Sequence, residues 1–165
     1  MPKKNKVLYE TEINFSVNWA IVTPLKPHQL AYRINDACLW DLQRLKNLNG
    51  STRTKIAGFA LYTYQLNEMQ PEFYLVALKE DKNILVKELK QFDYILQARI
   101  PDEDTKWEPT LLIQKIKSIE NIIGVFELNL DSIKNSDVLF FDKQLDKLVE
   151  ETEVIKRKKK IRIVK

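Results

Sequence analysis

The residues with the types and spacing to do chemistry begin with Glu88, Asp93 and Tyr94, which interrupt an otherwise apolar run in ILVKELKQFDYILQARI, residues 84–100. Two carboxylates beside a phenol could work as general acid and base, or line a small-ligand pocket with a perturbed carboxyl group. Their spacing opposes a shared element. Five positions place Glu88 and Asp93 on opposite faces of a strand, and about 140° apart on a helix. The plainer reading is a polar turn or single helical turn entering a strand. In it Asp93 accepts backbone N–H bonds, while Tyr94 buries its ring with the hydroxyl bonded or wet. His28 and Cys38 are the only residues of their kinds. Ten residues along one helix separate them by about 280° and 15 Å, so they cannot form a nucleophile–base pair there. One histidine and one cysteine cannot build a structural zinc site, and the acids in PDEDTKWE lack the alternating ligand register and central glycine of a calcium loop. No glycine-rich phosphate loop or nucleophile elbow occurs. The sequence therefore assigns no catalytic residue, metal ligand or cofactor, and favours a binding module over an enzyme.

Charge supplies the other chemistry. Residues 1–6 carry three lysines, and KRKKKIRIVK at 156–165 carries seven basic residues and no acid. These seven are Lys156, Arg157, Lys158, Lys159, Lys160, Arg162 and Lys165. The ends hold ten of the 27 bases, leaving 17 against 23 acids between them, so the body is formally about −6 and the ends about +10. The basic balance belongs to the ends, and a basic face on the folded body is not expected. The 156–165 tail could neutralise RNA phosphates or anionic lipid heads, at roughly 1 kcal/mol per charge near a membrane surface. It has no aromatic residue to stack on a base. Tyr62 and Tyr64 share one face of a strand in FALYTYQL. They could stack bases as an RRM does, but the RRM consensus is absent and such pairs also serve cross-strand packing.

These groups must be positioned by a recognisable set of elements. Ile13, Phe15, Val17 and Trp19 alternate with polar residues, as in a half-buried strand. Pro27 in a first turn, with Leu30, Ile34, Ala37 and Cys38 at helical spacing, predicts a helix over 27–39. Residues 42–48 fit a short strand or more helix, and 47–54 read as a turn. IAGFALYTYQL and EFYLVAL flank the turn 67–71 as a hairpin, and YILQARI (94–100) is a further strand. Pro109 and the stripe Leu112, Ile113, Ile116, Ile119 predict a second helix, followed by a strand at 121–130 and another at 137–141. Strand, helix, strand suggests a crossover unit. Phe141, Leu145, Leu148, Thr152 and Ile155 follow a heptad stripe of about two repeats, which could dock on the body or join two copies through Leu145, Leu148 and Ile155. The expected fold is α+β: an antiparallel or mixed sheet of five to seven strands with two helices on one face. Residues 7–141 would form one domain, 142–155 a C-terminal amphipathic helix and 156–165 the basic tail.

Within this frame VKELKQFDY (86–94) is similar to the signature of the IPExxxVDY family, small proteins of Bacteroidota. Glu88, Asp93 and Tyr94 match, Val86 and Phe92 are conservative replacements, and Lys87 stands where the family has proline. LAYRIN (30–35), FALYTY (59–64) and IIGVFELN (122–129) resemble further family segments in the same order, so the resemblance spans about residues 10–141. It implies a shared fold and no particular activity. The acidic residues that follow the basic start, where an export signal would be apolar, predict a cytoplasmic protein without a membrane span. The first expectation is a non-enzymatic adaptor whose tail contacts RNA or an RNA-containing complex. The alternatives are a small-ligand protein or enzyme acting near Glu88, Asp93 and Tyr94, and a homodimer through the C-terminal helix.

Overall fold

A computed structural model of the chain describes residues 16–49 and 58–129. The strand predicted at 137–141, the heptad positions Leu145, Leu148 and Ile155, and the tail 156–165 lie outside the described residues. In chain order the elements are β1 (Ser16–Val22), α1 (Pro27–Cys38), β2 (Gln43–Arg44), β3 (Leu48–Asn49), β4 (Gly58–Phe59), β5 (Leu61–Tyr64) and β6 (Glu72–Ala77). There follow β7 (Lys79–Glu80), β8 (Asn83–Ile84), a 3₁₀ turn (Lys87–Leu89), β9 (Tyr94–Arg99), α2 (Pro109–Lys117) and β10 (Gly124–Leu128).

Six strands form one sheet in the order β10-β1-β9-β6-β5-β2, with antiparallel pairing throughout. Among the described residues two further antiparallel pairs, β3–β4 and β7–β8, join this sheet and the helices in an α+β fold. β9 and β10 both run antiparallel to β1, which lies between them, so β9–α2–β10 is a crossover with one strand inserted. The central strands β6 and β9 pair over their full length, from Glu72 opposite Arg99 to Ala77 opposite Tyr94.

Period-two alternation sends two different apolar sets to the two faces, because a strand points successive side chains to opposite sides. Trp19, Ile21, Phe73, Leu75, Tyr94, Leu96 and Val125 face Leu30, Ala31 and Ile34 of α1 and Ile116 of α2. Both helices thus cover one face. Leu61, Tyr74, Val76 and Ile95 face the other way, onto Leu48, Phe59, Leu85, Val86 and Leu89 from the short pairs and the 3₁₀ turn. Fully burying an aliphatic or aromatic side chain stabilises by about 1.5–3 kcal/mol, so these two layers supply most of the cohesion.

Local expectations change at three places. Residues 42–48, ambiguous in sequence, hold β2 and the start of β3, and no helix continues there; Asn35 ends α1 by collecting the chain that follows. Its carbonyl accepts from the N–H groups of Leu39 and Trp40, and its Oδ1 from Leu42 N–H at 2.8 Å. Within the expected turn at 47–54, Leu48–Asn49 pairs instead with Gly58–Phe59. The strand expected at 121–130 is shorter, because Asn121 takes a left-handed φ of 72° and pairing starts at Gly124. No helix among the described residues is long and apolar enough to cross a membrane.

Candidate functional site

Asp93 and Tyr94 converge on one object, the β1–α1 turn at Thr23–Leu25. The Asp93 Oδ2 accepts the Thr23 N–H at 2.9 Å, and its Oδ1 accepts from Lys79 Nζ at 3.1 Å. Its own N–H donates to the Ile21 carbonyl, and its carbonyl accepts from Leu78 N–H, both at 2.9 Å. Tyr94 buries its ring in the helix-side core and donates its hydroxyl to the Leu25 carbonyl at 2.6 Å. Burial, helped by the Asp93 carboxylate, raises the Tyr94 pKa and keeps the phenol a donor. Thr23 closes the clasp: its Oγ1 donates to the Asn121 carbonyl at 2.7 Å and accepts Leu25 N–H at 3.2 Å. Asp93, just before β9, and Tyr94, its first residue, therefore grip one turn.

Glu88 stands apart, exposed on the 3₁₀ turn. Lys87 is the first residue of that turn, where proline's fixed φ would be favourable. Val86 before it is extended (φ −129°, ψ 112°), as a residue preceding proline must be, and no backbone carbonyl among the described residues accepts from Lys87 N–H. Lys87→Pro is accordingly expected to stabilise the fold by about 0.5–1 kcal/mol through the unfolded chain, read as a raised urea midpoint at unchanged slope.

The cavities lie elsewhere. The larger, about 490 Å³, opens between the end of α1, the β5–β6 turn and α2. Its aromatic lining is Trp40, Tyr64, Phe73 and Trp107. Tyr64 and Phe73 are cross-strand partners, and Trp40 lies across both, stacked on Tyr64 (5.1 Å, 20°) and tilted on Phe73 (4.2 Å, 32°). Trp107 stands steeply to that layer, at 66° to Phe73 and 71° to Trp19 behind it. All three tryptophans of the chain thus share one ring cluster. Along the other wall stand Glu108, the N-cap of α2, and Leu111, Leu112 and Lys115 of the helix, and the turn contributes Leu66, Gln70 and Pro71.

What delivers Trp40 is a sharp bend. Leu39 takes a left-handed conformation (φ 56°, ψ 43°) that costs a non-glycine residue roughly 1–2 kcal/mol, and its own side chain is 89% exposed. No signal in the sequence marks this cleft, because Trp40, Tyr64, Phe73 and Trp107 come from four separate segments. The Tyr62/Tyr64 face is not an open stacking platform. Tyr62 is buried with Arg44 Nη1 donating to its hydroxyl at 3.1 Å, and Tyr64 lies under Trp40.

Cys38 lines this cleft, whereas His28 lines a second cavity of about 450 Å³ with Leu25, Gln29, Tyr32 and Arg33. Glu88, Asp93 and Tyr94 line neither. Burial, partly offset by the Lys115 ammonium, pushes the Cys38 thiol up to about 11. Alkylation by iodoacetamide at pH 8 is therefore expected to run about ten- to a hundredfold slower than in the urea-unfolded chain, and to quicken as pH approaches 11. A folded pKa above the unfolded one stabilises below the unfolded pKa and loses that contribution as pH rises. Stability should thus decline above the ordinary thiol range, and further above about 10 as Tyr74 and Tyr94 ionise more readily in the unfolded chain.

On the opposite face a polar row crosses the sheet: Gln97 Nε2 donates to Asn18 Oδ1 at 2.9 Å, Arg99 Nε to Gln97 Oε1 at 3.0 Å, and the Arg99 guanidinium covers the Tyr74 ring at 5.3 Å. The fully buried Tyr74 hydroxyl has Glu72 and Thr63 beside it without a well-formed bond to either. Among the described residues no cluster of three His, Cys, Asp or Glu side chains could hold a metal ion. No protein-family model, curated protein or solved structure matches the chain.

Proposed function

We propose that the protein is a non-enzymatic binding module whose recognition site is the aromatic cleft between α1, the β5–β6 turn and α2. The observation that carries this is the convergence of four aromatic rings on an open cavity of about 490 Å³, within the roughly 300–1,000 Å³ of ordinary ligand pockets. A small-ligand site near Glu88, Asp93 and Tyr94 is less favoured, since Asp93 and Tyr94 already serve the Thr23–Leu25 turn. The test is titration with N-phenyl-1-naphthylamine, an uncharged aromatic probe, followed by NMR of the indole N–H groups. One-site saturation should move the Trp40 and Trp107 signals, and Leu111→Arg at the half-exposed rim should weaken binding about tenfold. Absent saturation, or indifference to Leu111→Arg, overturns the reading.

The segregation of charge supports a second contact, with RNA or an RNA-containing complex, through Lys156, Arg157, Lys158, Lys159, Lys160, Arg162 and Lys165. Removing residues 156–165 should flatten the slope of log affinity against log salt for mixed single-stranded RNA by up to about 5, at roughly 0.7 per neutralised phosphate. An unchanged slope rejects this contact. We further infer kinship with the IPExxxVDY family, supported by the VKELKQFDY match and by backbone at Val86–Lys87 that would accept the family's proline. Cytoplasmic residence, and self-association through Leu145, Leu148 and Ile155, complete the proposal. Light scattering of the full chain against one ending at residue 141 tests the last.

A further inference from the structure

Resting on the cleft as the binding site, we propose that its ligand is a small molecule bearing a methylated ammonium group, held in the cavity that Trp40, Trp107 and Glu108 line. Trp40 packs on Tyr64 and Phe73 and still lines the cavity, so the part of its ring that they leave uncovered is what the cleft offers. Trp107 stands at 66° to Phe73 and lines the same cavity, so two indoles contribute to one lining. Ring faces carry negative potential and attract a cation placed over them, more so where water is partly excluded. A methylated ammonium adds apolar surface to that charge and needs no hydrogen-bond acceptor, which suits a lining poor in polar groups.

The charges at the rim sharpen the assignment. Only Glu108 and Lys115 among the lining residues are charged, and neither forms an ion pair among the described residues. They lie seven positions apart, from the N-cap of α2 to its last turn, about 10 Å along its axis, a Debye length in ordinary buffer. Glu108 adjoins Trp107 in sequence. Lys115 also acts on Cys38, whose thiol feels its ammonium. The lining thus holds one carboxylate, next to Trp107 in the chain, and one ammonium. An anionic ligand would find a single lysine and four electron-rich rings.

Choline and its uncharged isostere 3,3-dimethyl-1-butanol isolate the charge at constant shape. Choline is expected to bind about five- to tenfold tighter, shifting the indole N–H signals of Trp40 and Trp107 and displacing N-phenyl-1-naphthylamine. Glu108→Gln should bring the two probes to near parity, Glu108→Asp should keep most of the difference, and Lys115→Gln should favour choline slightly further. Phosphatidylcholine vesicles should not compete, because the cavity would have to accept a headgroup still in its bilayer. Competition by vesicles would overturn the small-molecule assignment. Equal binding of choline and the alcohol, or indifference to Glu108→Gln, would overturn the ammonium while leaving the cleft intact. Failure of N-phenyl-1-naphthylamine as well would remove the cleft itself.

Discussion

Asp93→Ala is expected to destabilise the fold by about 3 kcal/mol, seen as a lower urea midpoint at unchanged slope. The variant strips the buried Thr23 N–H of its acceptor, and a buried donor without a partner costs about 1–3 kcal/mol, the upper part of that range applying to a charged acceptor. Loss of Lys79 adds less than about 1 kcal/mol, since that pair is partly exposed and solvent-screened. Asp93→Asn separates the two, keeping an oxygen for Thr23 while removing the ion pair, and should cost about 1 kcal/mol. Tyr94→Phe removes only the bond to the Leu25 carbonyl, at about 1–1.5 kcal/mol. Because both side chains hold the same turn, the double variant should cost less than the sum of the singles. Strict additivity would mean that the two side chains do not cooperate, and an Asp93→Ala cost below about 1 kcal/mol would mean that the turn finds other partners.

Trp40→Ala should be as damaging to stability and far more damaging to binding. Complete truncation of a core tryptophan costs about 3–5 kcal/mol, and Trp40 is half-buried, so about 3 kcal/mol is expected. The ring pairs that Trp40 makes with Tyr64 and with Phe73 account for about 0.5–1.5 kcal/mol each. Binding of N-phenyl-1-naphthylamine should fall about a hundredfold once that ring is removed. Trp40→Phe should restore most of the stability and part of the affinity. If Trp40→Ala folds and still binds the probe unchanged, the ligand does not rest on that ring.

How far the sequence reveals this molecule depends on whether a signal is local. The helices at Pro27–Cys38 and Pro109–Lys117 are legible because proline in the first turn and apolar residues at helical spacing act within a few residues. The β5–β6 hairpin and β9 are legible from alternation and the polar turn between them. Sheet order is not. Nothing local tells Tyr94–Arg99 to insert between β1 and β6, since that choice follows from which faces must be buried together. Residues 42–48 are ambiguous because two-residue strands have too few positions to express a period. The structural role of Asp93 and Tyr94 can be read from their surroundings in the chain, but their shared target, some seventy residues earlier, cannot. The cleft is hidden for the same reason. Its left-handed bend falls on Leu39, where a leucine offers no hint of the conformation that a glycine would have announced.

The placement of all three indoles in the helix-side layer bears on how unfolding would be observed. The layer on the opposite face, built on Phe59, Leu61, Tyr74 and Ile95, contains no tryptophan. Emission from the indoles would therefore follow the loosening of one half of the interior and be nearly blind to the other. Coincidence of that trace with far-ultraviolet dichroism, rather than either curve alone, would establish that the two layers come apart in a single cooperative step.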